Sequence, residues 1–300
     1  MKSLVTGGGG FIGSHIVDKL IEKGHEVICV DDESAESNDE FFYNEKAKNL
    51  VADITDQQKI DEIFKAEKPD YVFHCAAESR IQPTLERPQR ACMVNFVGTC
   101  NLLQASRMNG VKRLMYSSTS SGYGLINEPP LVEDMPRDCL NPYSVTKVAA
   151  EDLCKMYSSL WDLETVIFRY FNVYGERQPI KGQYAPVVGI FQRQVKDGQS
   201  MTIVGSGEQR RDFTHVQDVV QANMLAMESD NKEVIGEVFN VGTGKNHSVL
   251  EVSKLIGEEA IHIAERPGEA DSTLADISKI NSMLGYEPTI KLEEWIASKK

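Results

Sequence analysis

The sequence predicts an α/β fold in which a doubly wound parallel sheet is joined to a second, smaller mixed α/β lobe. In the first half of the chain, short apolar runs alternate with helical patterns, which is typical of consecutive βαβ units. After about Tyr174 the pattern changes to turn-rich segments with shorter elements. A chain of 300 residues is long enough for both parts. We therefore expect a sheet domain over residues 1–173 and a substrate-binding lobe over residues 174–300, with a cleft between them.

The individual elements are predicted from apolar periodicity. Phe11, Ile16 and Leu20 recur at helical spacing after the first strand, so one face of that helix should pack on a sheet. In the first half, strands are expected at 3–5, 26–30, 49–52, 71–75, 113–117 and 164–168, and helices at 11–23, 56–66, 83–109 and 143–160. In the second half, helices are expected at 187–196, 216–227, 248–256 and 277–284, and strands at 201–204, 238–241 and 261–264. The acidic stretch 31–45 is expected to be a solvated loop.

Charge and cysteine content exclude several classes of function. With 32 basic and 45 acidic residues the formal net charge is −13, which repels nucleic acid and anionic membrane surfaces at long range. A small anionic substrate stays compatible, because local arginines can reverse the sign inside a pocket. The six cysteines include no CxxC pair, and several lie in apolar runs, which predicts buried thiols and no metal site. The sequence contains no secretion signal and no membrane-spanning apolar run, so a cytoplasmic protein is expected.

A glycine-rich turn between the first strand and the first helix predicts a dinucleotide site. Gly7, Gly10 and Gly13 have no Cβ, so the backbone can turn tightly and its amides can approach a pyrophosphate. The next strand leads into Asp31, whose carboxylate can accept hydrogen bonds from ribose hydroxyls and would repel a 2′-phosphate. NAD is therefore the expected cofactor. The alternative is a glycine turn that serves tight packing alone.

Tyr143 and Lys147 form the expected catalytic pair. Because they are four residues apart on a helix, they share one face, where an ammonium can lower the pKa of a phenol from its ordinary value of about 10. A hydroxyl should complete the site at the carboxyl end of the strand 113–117, since sites in doubly wound sheets form at that edge. The serine-rich run that follows this strand offers several. An exposed helix face and turn-forming serines are the alternative explanation.

Together these motifs resemble the extended short-chain dehydrogenase/reductase family over essentially the whole chain. The runs 6–15, 53–56 and 74–77 match family motifs closely. Aligned on Tyr123-Gly124, Thr119 falls on the family's substrate-binding hydroxyl, so the resemblance implies that Thr119, with Ser118 next, completes the catalytic set. It also implies cofactor contacts from Gly7, Gly10, Phe11, Ile12, Gly13, Asp31, Asp53, Ile54, Ala76, Ala77, Asn95, Ser117, Tyr143, Lys147 and Tyr170.

The reaction is inferred from the absence of an acid. The dehydratases of this family carry an acid pair directly after the Ser/Thr, whereas this chain has Ser120 and Ser121. Without an acid to protonate a leaving hydroxyl, elimination is disfavoured, and the same absence counts against decarboxylation. The resemblance therefore implies a nucleotide-sugar 4-epimerase, which removes a hydride from the sugar to NAD and returns it to the other face. A UDP-hexose or UDP-N-acetylhexosamine is the expected substrate.

The second half resembles the epimerase branch in the runs 169–175, 205–213 and 266–269. The resemblance implies substrate contacts from Ser118, Thr119, Asn172, Arg211, Arg266, Glu269 and Thr273. The small side chain of Thr273 is expected to leave room for an N-acetyl group. Glu78-Ser79-Arg80 departs from the small or apolar residues usual in the family, which leaves open a less common nucleotide sugar or a different epimerised carbon.

Two other functions and the oligomeric state stay open. A net nucleotide-sugar oxidoreductase would share every motif but consume its cofactor, and an NAD-sensing regulator would have no reason to keep the catalytic set. The resemblance implies a homodimer formed by the helices 83–109 and 143–160. Its expected contacts are Met93, Leu102, Leu153 and Tyr157, all of which could equally be core residues.

Overall fold

The computed structural model of the chain describes residues 1–35, 40–180, 185–257, 259–264 and 271–299. Its strands are β1 (Lys2–Thr6), β2 (Glu26–Asp31), β3 (Lys48–Val51), β4 (Tyr71–His74), β5 (Arg113–Thr119), β6 (Glu164–Tyr170), β7 (Val173–Tyr174), β8 (Met201–Val204), β9 (Arg210–Asp212), β10 (Thr214–His215), β11 (Val238–Val241), β12 (Asn246–Ser248) and β13 (Ala260–Ile263). Its helices are α1 (Phe11–Glu22), α2 (Gln57–Glu67), α3 (Ile81–Glu86), α4 (Pro88–Ala91), α5 (Thr99–Met108), α6 (Pro142–Trp161), α7 (Val187–Lys196), α8 (Val216–Glu228), α9 (Val249–Ile256), α10 (Ser278–Leu284) and α11 (Leu292–Ala297). A π-helical turn, Cys92–Gly98, lies between α4 and α5.

Parallel strands form a central sheet in the order β11-β6-β5-β4-β1-β2-β3. The register pairs Val5 of β1 with Cys29 on one side and with Phe73 on the other. The direction of winding reverses between β1 and β4, and such a reversal opens a crevice outside the carboxyl ends of the strands. The predicted doubly wound α/β fold is confirmed, and each of the six strands predicted in the first half overlaps an observed one.

Apolar side chains cover both faces of the sheet and fill a separate cluster in the smaller lobe. Phe73, Phe168 and Phe239 lie in the cluster on one face, and Leu4 and Leu114 lie in the cluster on the other. In the smaller lobe, the buried cluster includes Tyr174, Phe191 and Trp295. The sheet therefore has the two covered faces that parallel strands require.

The strand predicted at 238–241 does not belong to the smaller lobe, as its position in the sequence suggested. It is β11, the edge strand of the central sheet, where Phe239 pairs with Phe168 of β6. The preceding helix, α8, likewise packs on α1 and β5. Because every residue of β11 is buried, its apolar side chains place it on the sheet, and the chain returns across the boundary expected after residue 173.

Several predicted elements and side-chain positions are corrected. The helix expected over 83–109 is interrupted at Arg87, whose backbone is not helical. Pro88 follows it, and a proline disfavours the helical conformation of the residue before it. Of the expected dimer contacts, Leu102 and Tyr157 are buried in the core. Of the cysteines expected to be buried, Cys92 is exposed. The strands β7, β9, β10 and β12 have only two or three residues each, too few to leave a periodic pattern.

No helix in the described part of the chain has the length and apolar character of a membrane span.

The last helix, α11, is attached to the rest of the chain through Glu176, which follows β7. Trp295 Nε1 donates to Glu176 Oε1 (2.9 Å), and Lys299 Nζ lies 2.8 Å from the same oxygen. Burial opposes ionisation of Glu176, but the hydrogen bonds from Lys299 and Trp295 outweigh it and lower the pKa of this carboxyl to about 2. The ionised carboxylate therefore holds the C-terminal helix in place.

Replacing Glu176 by Gln is expected to lower the thermal midpoint near pH 7 but not near pH 2. An unfolded glutamate titrates at about pH 4.3, above the folded pKa, so the carboxylate contributes stability above that pH and loses it as the pH falls toward 2. The difference in midpoint between wild type and Glu176→Gln should shrink over this range. Glu294→Gln, which removes an exposed pair with Lys291, is the matched control and should have little effect at any pH. A difference for Glu176→Gln that does not change with pH would contradict this role.

Candidate active site

A cavity of about 840 Å³ lies over the carboxyl ends of the central strands, between the sheet and the smaller lobe. Its lining includes Gly7 and Asp31 from the sheet domain, Tyr143 from α6, and Arg211 and Thr273 from the second half of the chain. This volume is typical of sites for small molecules and cofactors. Among the described residues, no group of three or more His, Cys, Asp or Glu side chains could hold a metal ion.

The glycine turn between β1 and α1 leaves no room for side chains at two of its positions. Gly7 has a left-handed φ of +65°, and a Cβ there would lie 2.7 Å from the backbone nitrogen of Ala76. A Cβ on Gly13 would lie 2.1 Å from the carbonyl oxygen of Gly7. Gly10 precedes α1 as its N-cap, and all three glycines line the cavity. The turn can therefore bring backbone N–H groups close to an anionic ligand.

Asp31 ends β2 and lies against this turn. Its two carboxylate oxygens accept hydrogen bonds from the backbone N–H groups of Gly9 (3.0 Å) and Glu33 (2.9 Å). Burial raises the pKa of Asp31, and the two hydrogen bonds oppose that rise. Asp31 lines the cavity, where each oxygen has a further lone pair for a ribose hydroxyl. The solvated loop expected over 31–45 is wrong in part, since Asp31 is buried and Phe42 N–H donates to the carbonyl of Gly9 (2.8 Å).

Arg90, which the sequence did not indicate, joins three carboxylates beside this end of the cavity. Its guanidinium lies 3.1 Å from Asp53, 3.2 Å from Asp32 and 3.5 Å from Glu78. The carboxylate of Asp53, predicted to contact the cofactor, is therefore turned to Arg90, while its neighbour Ile54 lines the cavity. Arg90 follows β4, and its three partners follow β2, β3 and β4, so no sequence spacing connects them.

Tyr143 lies in the first turn of α6, which begins at a capping box formed by Asn141 and Ser144. Its side chain lines the cavity together with Thr119, the last residue of β5. Burial raises the pKa of Tyr143, whereas a side-chain hydrogen bond with Thr119 and the positive charge of Arg80 oppose that rise. The lowered pKa expected for Tyr143 is therefore corrected, because the effect of burial is larger than that of the nearby cation.

Lys147 lies one turn further along α6 and is almost completely buried. Its Nζ is 4.4 Å from the centre of the Tyr116 ring, and burial lowers the pKa of Lys147 to about 8. Among the described residues, the cation whose charge acts on the Tyr143 phenol is Arg80. The sequence signal for Arg80 is the departure of Glu78-Ser79-Arg80 from the small or apolar residues usual at these positions.

A buried network around Glu151 fixes the end of the strand that carries Thr119. Glu151 Oε1 accepts hydrogen bonds from the Ser118 hydroxyl (2.5 Å) and from Arg169 Nε (3.0 Å), and Oε2 accepts one from Arg169 Nη2 (2.8 Å). Ser118, predicted to bind substrate, is at the cavity wall, but its hydroxyl is directed to Glu151. The network therefore fixes Ser118, and with it the position of its neighbour Thr119 at the end of β5.

Asn95 supports the segment after β4. Its Oδ1 accepts from the Glu78 N–H (2.8 Å), and its Nδ2 donates to the Glu78 carbonyl (3.1 Å) and to the Thr146 hydroxyl (3.0 Å). It has no solvent-exposed surface. Asn95 is buried and is not part of the cavity lining, so it supports the wall from inside the protein, and its contact with the cofactor stays a prediction.

The other predicted contacts come from both parts of the chain. The cavity wall near the sheet includes Phe11, Ile12, Ile54, Ala76, Ala77, Ser117 and Tyr170. From the predicted substrate contacts further along the chain, the wall includes Asn172, Arg211 and Thr273. Asn172 Nδ2 lies 3.4 Å from Thr273 Oγ1. Arg266 and Glu269 lie outside the described residues.

Comparisons with known proteins agree with the motifs. The sequence profile of the NAD dependent epimerase/dehydratase family matches residues 3–242. A UDP-glucose 4-epimerase of Mycolicibacterium smegmatis is 35% identical over an alignment of 313 positions, which covers 99% of this chain and 96% of that protein. The structure of Thermotoga maritima UDP-glucose 4-epimerase with UDP-glucose has a TM-score of 0.92 at 36% identity, covering 99% of this chain and 96% of that one. The structure of Thermus thermophilus UDP-glucose 4-epimerase in complex with NAD has a TM-score of 0.89 at 32% identity, covering 99% of this chain and 96% of that one.

Replacing Arg90 by Leu is expected to weaken retention of NAD. Without the guanidinium, Asp32, Asp53 and Glu78 would repel one another and an anionic cofactor. NAD released from the purified, heat-denatured variant should fall roughly threefold to tenfold, and added salt should restore part of it by screening. Arg107→Leu, which removes an exposed guanidinium stacked on Trp161, is the matched control. Equal NAD content in the two variants would show that Arg90 has no part in holding the cofactor.

Proposed function

This chain belongs to the NAD dependent epimerase/dehydratase family, and we propose that it is a UDP-sugar 4-epimerase whose reaction takes place between Tyr143 and Thr119. The observation that carries the proposal is that one cavity joins the glycine turn, these two hydroxyls and Arg211 of the smaller lobe. A nucleotide sugar is long enough to reach from the two hydroxyls of the sheet domain to Arg211 of the smaller lobe. No acid follows Thr119 to assist elimination of water, since the next residues are Ser120 and Ser121.

The residues at the glycine turn fit NAD. The lack of a Cβ at Gly7 and Gly13 allows the close backbone packing that forms the turn, and the N-terminus of α1 favours a pyrophosphate there. Asp31 offers acceptors to the ribose hydroxyls and would repel a 2′-phosphate. Bound there, NAD supplies a hydride acceptor that later becomes the hydride donor.

Tyr143 accepts the proton of the sugar's C4 hydroxyl in the first step and returns a proton in the second. The phenol must be ionised to act as a base, so the hydrogen bond from Thr119 and the charge of Arg80, which both favour phenolate, assist the reaction. The proton and the hydride are both returned, so the sugar leaves as its C4 epimer without net oxidation.

To present both faces of the sugar to the cofactor, the site holds the nucleotide firmly and the hexose loosely. Arg211 and Asn172 hold the nucleotide side of the substrate, as the resemblance of their motifs implies, and Arg266 and Glu269 complete this grip. The hexose is held less firmly, so the 4-keto sugar can rotate between the two hydride transfers. A guanidinium suits the anchoring role because it binds phosphate oxygens through paired hydrogen bonds.

We also propose that the enzyme is a cytoplasmic homodimer. Met93 and Phe96, on the π-helical turn beside α6, are 45% and 36% exposed and offer apolar surface for a subunit contact. Leu102 and Tyr157 take no part in that contact, since they are buried within the chain.

Epimerisation without added cofactor tests the function. The protein as purified should convert UDP-glucose into its C4 epimer, seen by NMR as a second anomeric signal. Tyr143→Phe should keep its NAD and lose about 10²–10⁴-fold in turnover, because the proton acceptor is removed. Tyr157→Phe, which removes a phenol hydrogen-bonded to Gln104 in the core, is the matched control and should stay active. Dependence on stoichiometric added cofactor, with a lasting absorbance change, would instead identify a net oxidoreductase.

Thr273→Tyr is expected to exclude sugars with a bulky C2 substituent. Thr273 lines the cavity beside Asn172, so a larger side chain would occupy space that an N-acetyl group needs. Turnover of UDP-N-acetylglucosamine should fall at least about tenfold more than turnover of UDP-glucose, since a steric clash acts on one substrate alone. Equal losses on both substrates would argue that Thr273 does not face C2.

A further inference from the structure

Arg80 places a guanidinium at the reacting end of the cleft. It directly precedes α3, which packs against α6, and both Arg80 and Tyr143 line the cavity. The two side chains are close enough for the charge of one to act on the other. Since the reacting carbon of the sugar must lie against the Tyr143 phenol, Arg80 faces the hexose.

Within the described chain, Arg80 has no acidic partner. Its Nε is buried and has no hydrogen-bond partner there. Three other arginines of the chain, Arg90, Arg113 and Arg169, each pair with a carboxylate. Arg80 is half-buried in the cavity wall, and an arginine there without an acidic partner is expected where a ligand supplies the opposite charge.

The nearest acid in the sequence does not neutralise Arg80. Glu78 is turned to Arg90, at 3.5 Å, and its backbone is held by Asn95. Other polar residues of the cavity wall include Ser79, Gln82 and Arg87 beside Arg80 in the sequence, and Ser120 and Ser121 after β5, and none of these is acidic. The hexose therefore meets a positive and hydroxyl-rich surface.

We propose that Arg80 binds a carboxylate on the hexose, so that the preferred substrate is a UDP-hexuronate, in which C6 is a carboxylate. This inference rests on the proposed function and narrows it. C6 is attached to C5, the ring atom next to the reacting C4, so in one of the two orientations of the sugar its carboxylate lies on the same side of the site as the Tyr143 phenol. The carboxylate leaves Arg80 when the 4-keto sugar rotates. A guanidinium and a carboxylate form paired, charge-assisted hydrogen bonds. The N-acetyl group of a hexosamine is neutral and cannot replace this interaction.

Competing substrates separate this role from the effect of Arg80 on Tyr143. The wild-type enzyme should have a kcat/KM for UDP-glucuronate at least about tenfold above that for UDP-glucose, and Arg80→Gln should remove this preference. Arg80→Lys, which keeps the charge without the planar fork, should retain part of it. Arg107→Gln, an exposed site, is the control and should change neither value. A loss of the same size on both substrates would overturn the proposal, because it would show an effect on the phenol alone.

Binding to the inactive Tyr143→Phe protein gives a second measurement that needs no change at Arg80. Calorimetric titration should give a lower Kd for UDP-glucuronate than for UDP-glucose, and equal Kd values would overturn the proposal. Turnover of UDP-glucose without any preference for UDP-glucuronate would leave the epimerase function intact and contradict this inference only. Failure to epimerise any UDP-sugar would instead contradict the function itself.

Discussion

The close packing of the glycine turn against the segment after β4 is the constraint on which the site depends. A Cβ on Gly7 would lie 2.7 Å from the nitrogen of Ala76, so these backbones can touch only because residue 7 has no side chain. From Ala76 the chain continues along the cleft, where Glu78 pairs with Arg90 and Arg80 acts on Tyr143. One short segment therefore sets the relation between the cofactor turn and the catalytic phenol.

The chain is acidic overall, yet its cleft can bind an anion, because the carboxylates near the cleft are paired with groups of the protein itself. Arg90 neutralises the group around Asp53, Arg169 neutralises Glu151, and backbone N–H groups bind Asp31. The carboxylates paired with Arg90 and Arg169 therefore support the walls of the site with their charge partly neutralised, whereas Asp31 keeps its charge toward the cavity. The formal charge of −13 describes the molecule at a distance, whereas the cleft is governed by these short-range pairings.

The sequence predicts those parts of the site that depend on local backbone geometry. The glycine turn, the strand leading to Asp31 and the helical pair Tyr143 and Lys147 each have a fixed spacing, so their positions follow from the chain. It does not predict the order of strands in the sheet, so the position of β11 at the edge of the central sheet follows from the structure alone. Nor does it predict where polar side chains point, because the contacts of Asn95 and Arg90 join residues far apart in the sequence.

Arg80 links substrate choice to the chemistry, because one guanidinium acts on both the phenol and the sugar. Alone, its charge favours the phenolate of Tyr143 against the effect of burial. A carboxylate bound to Arg80 would offset part of that charge and so raise the pKa of the phenol again. The hydrogen bond from Thr119 carries no charge, so a bound carboxylate does not offset it. An enzyme for acidic sugars therefore needs a second source of phenolate stabilisation, and the hydroxyl at the end of β5 supplies it.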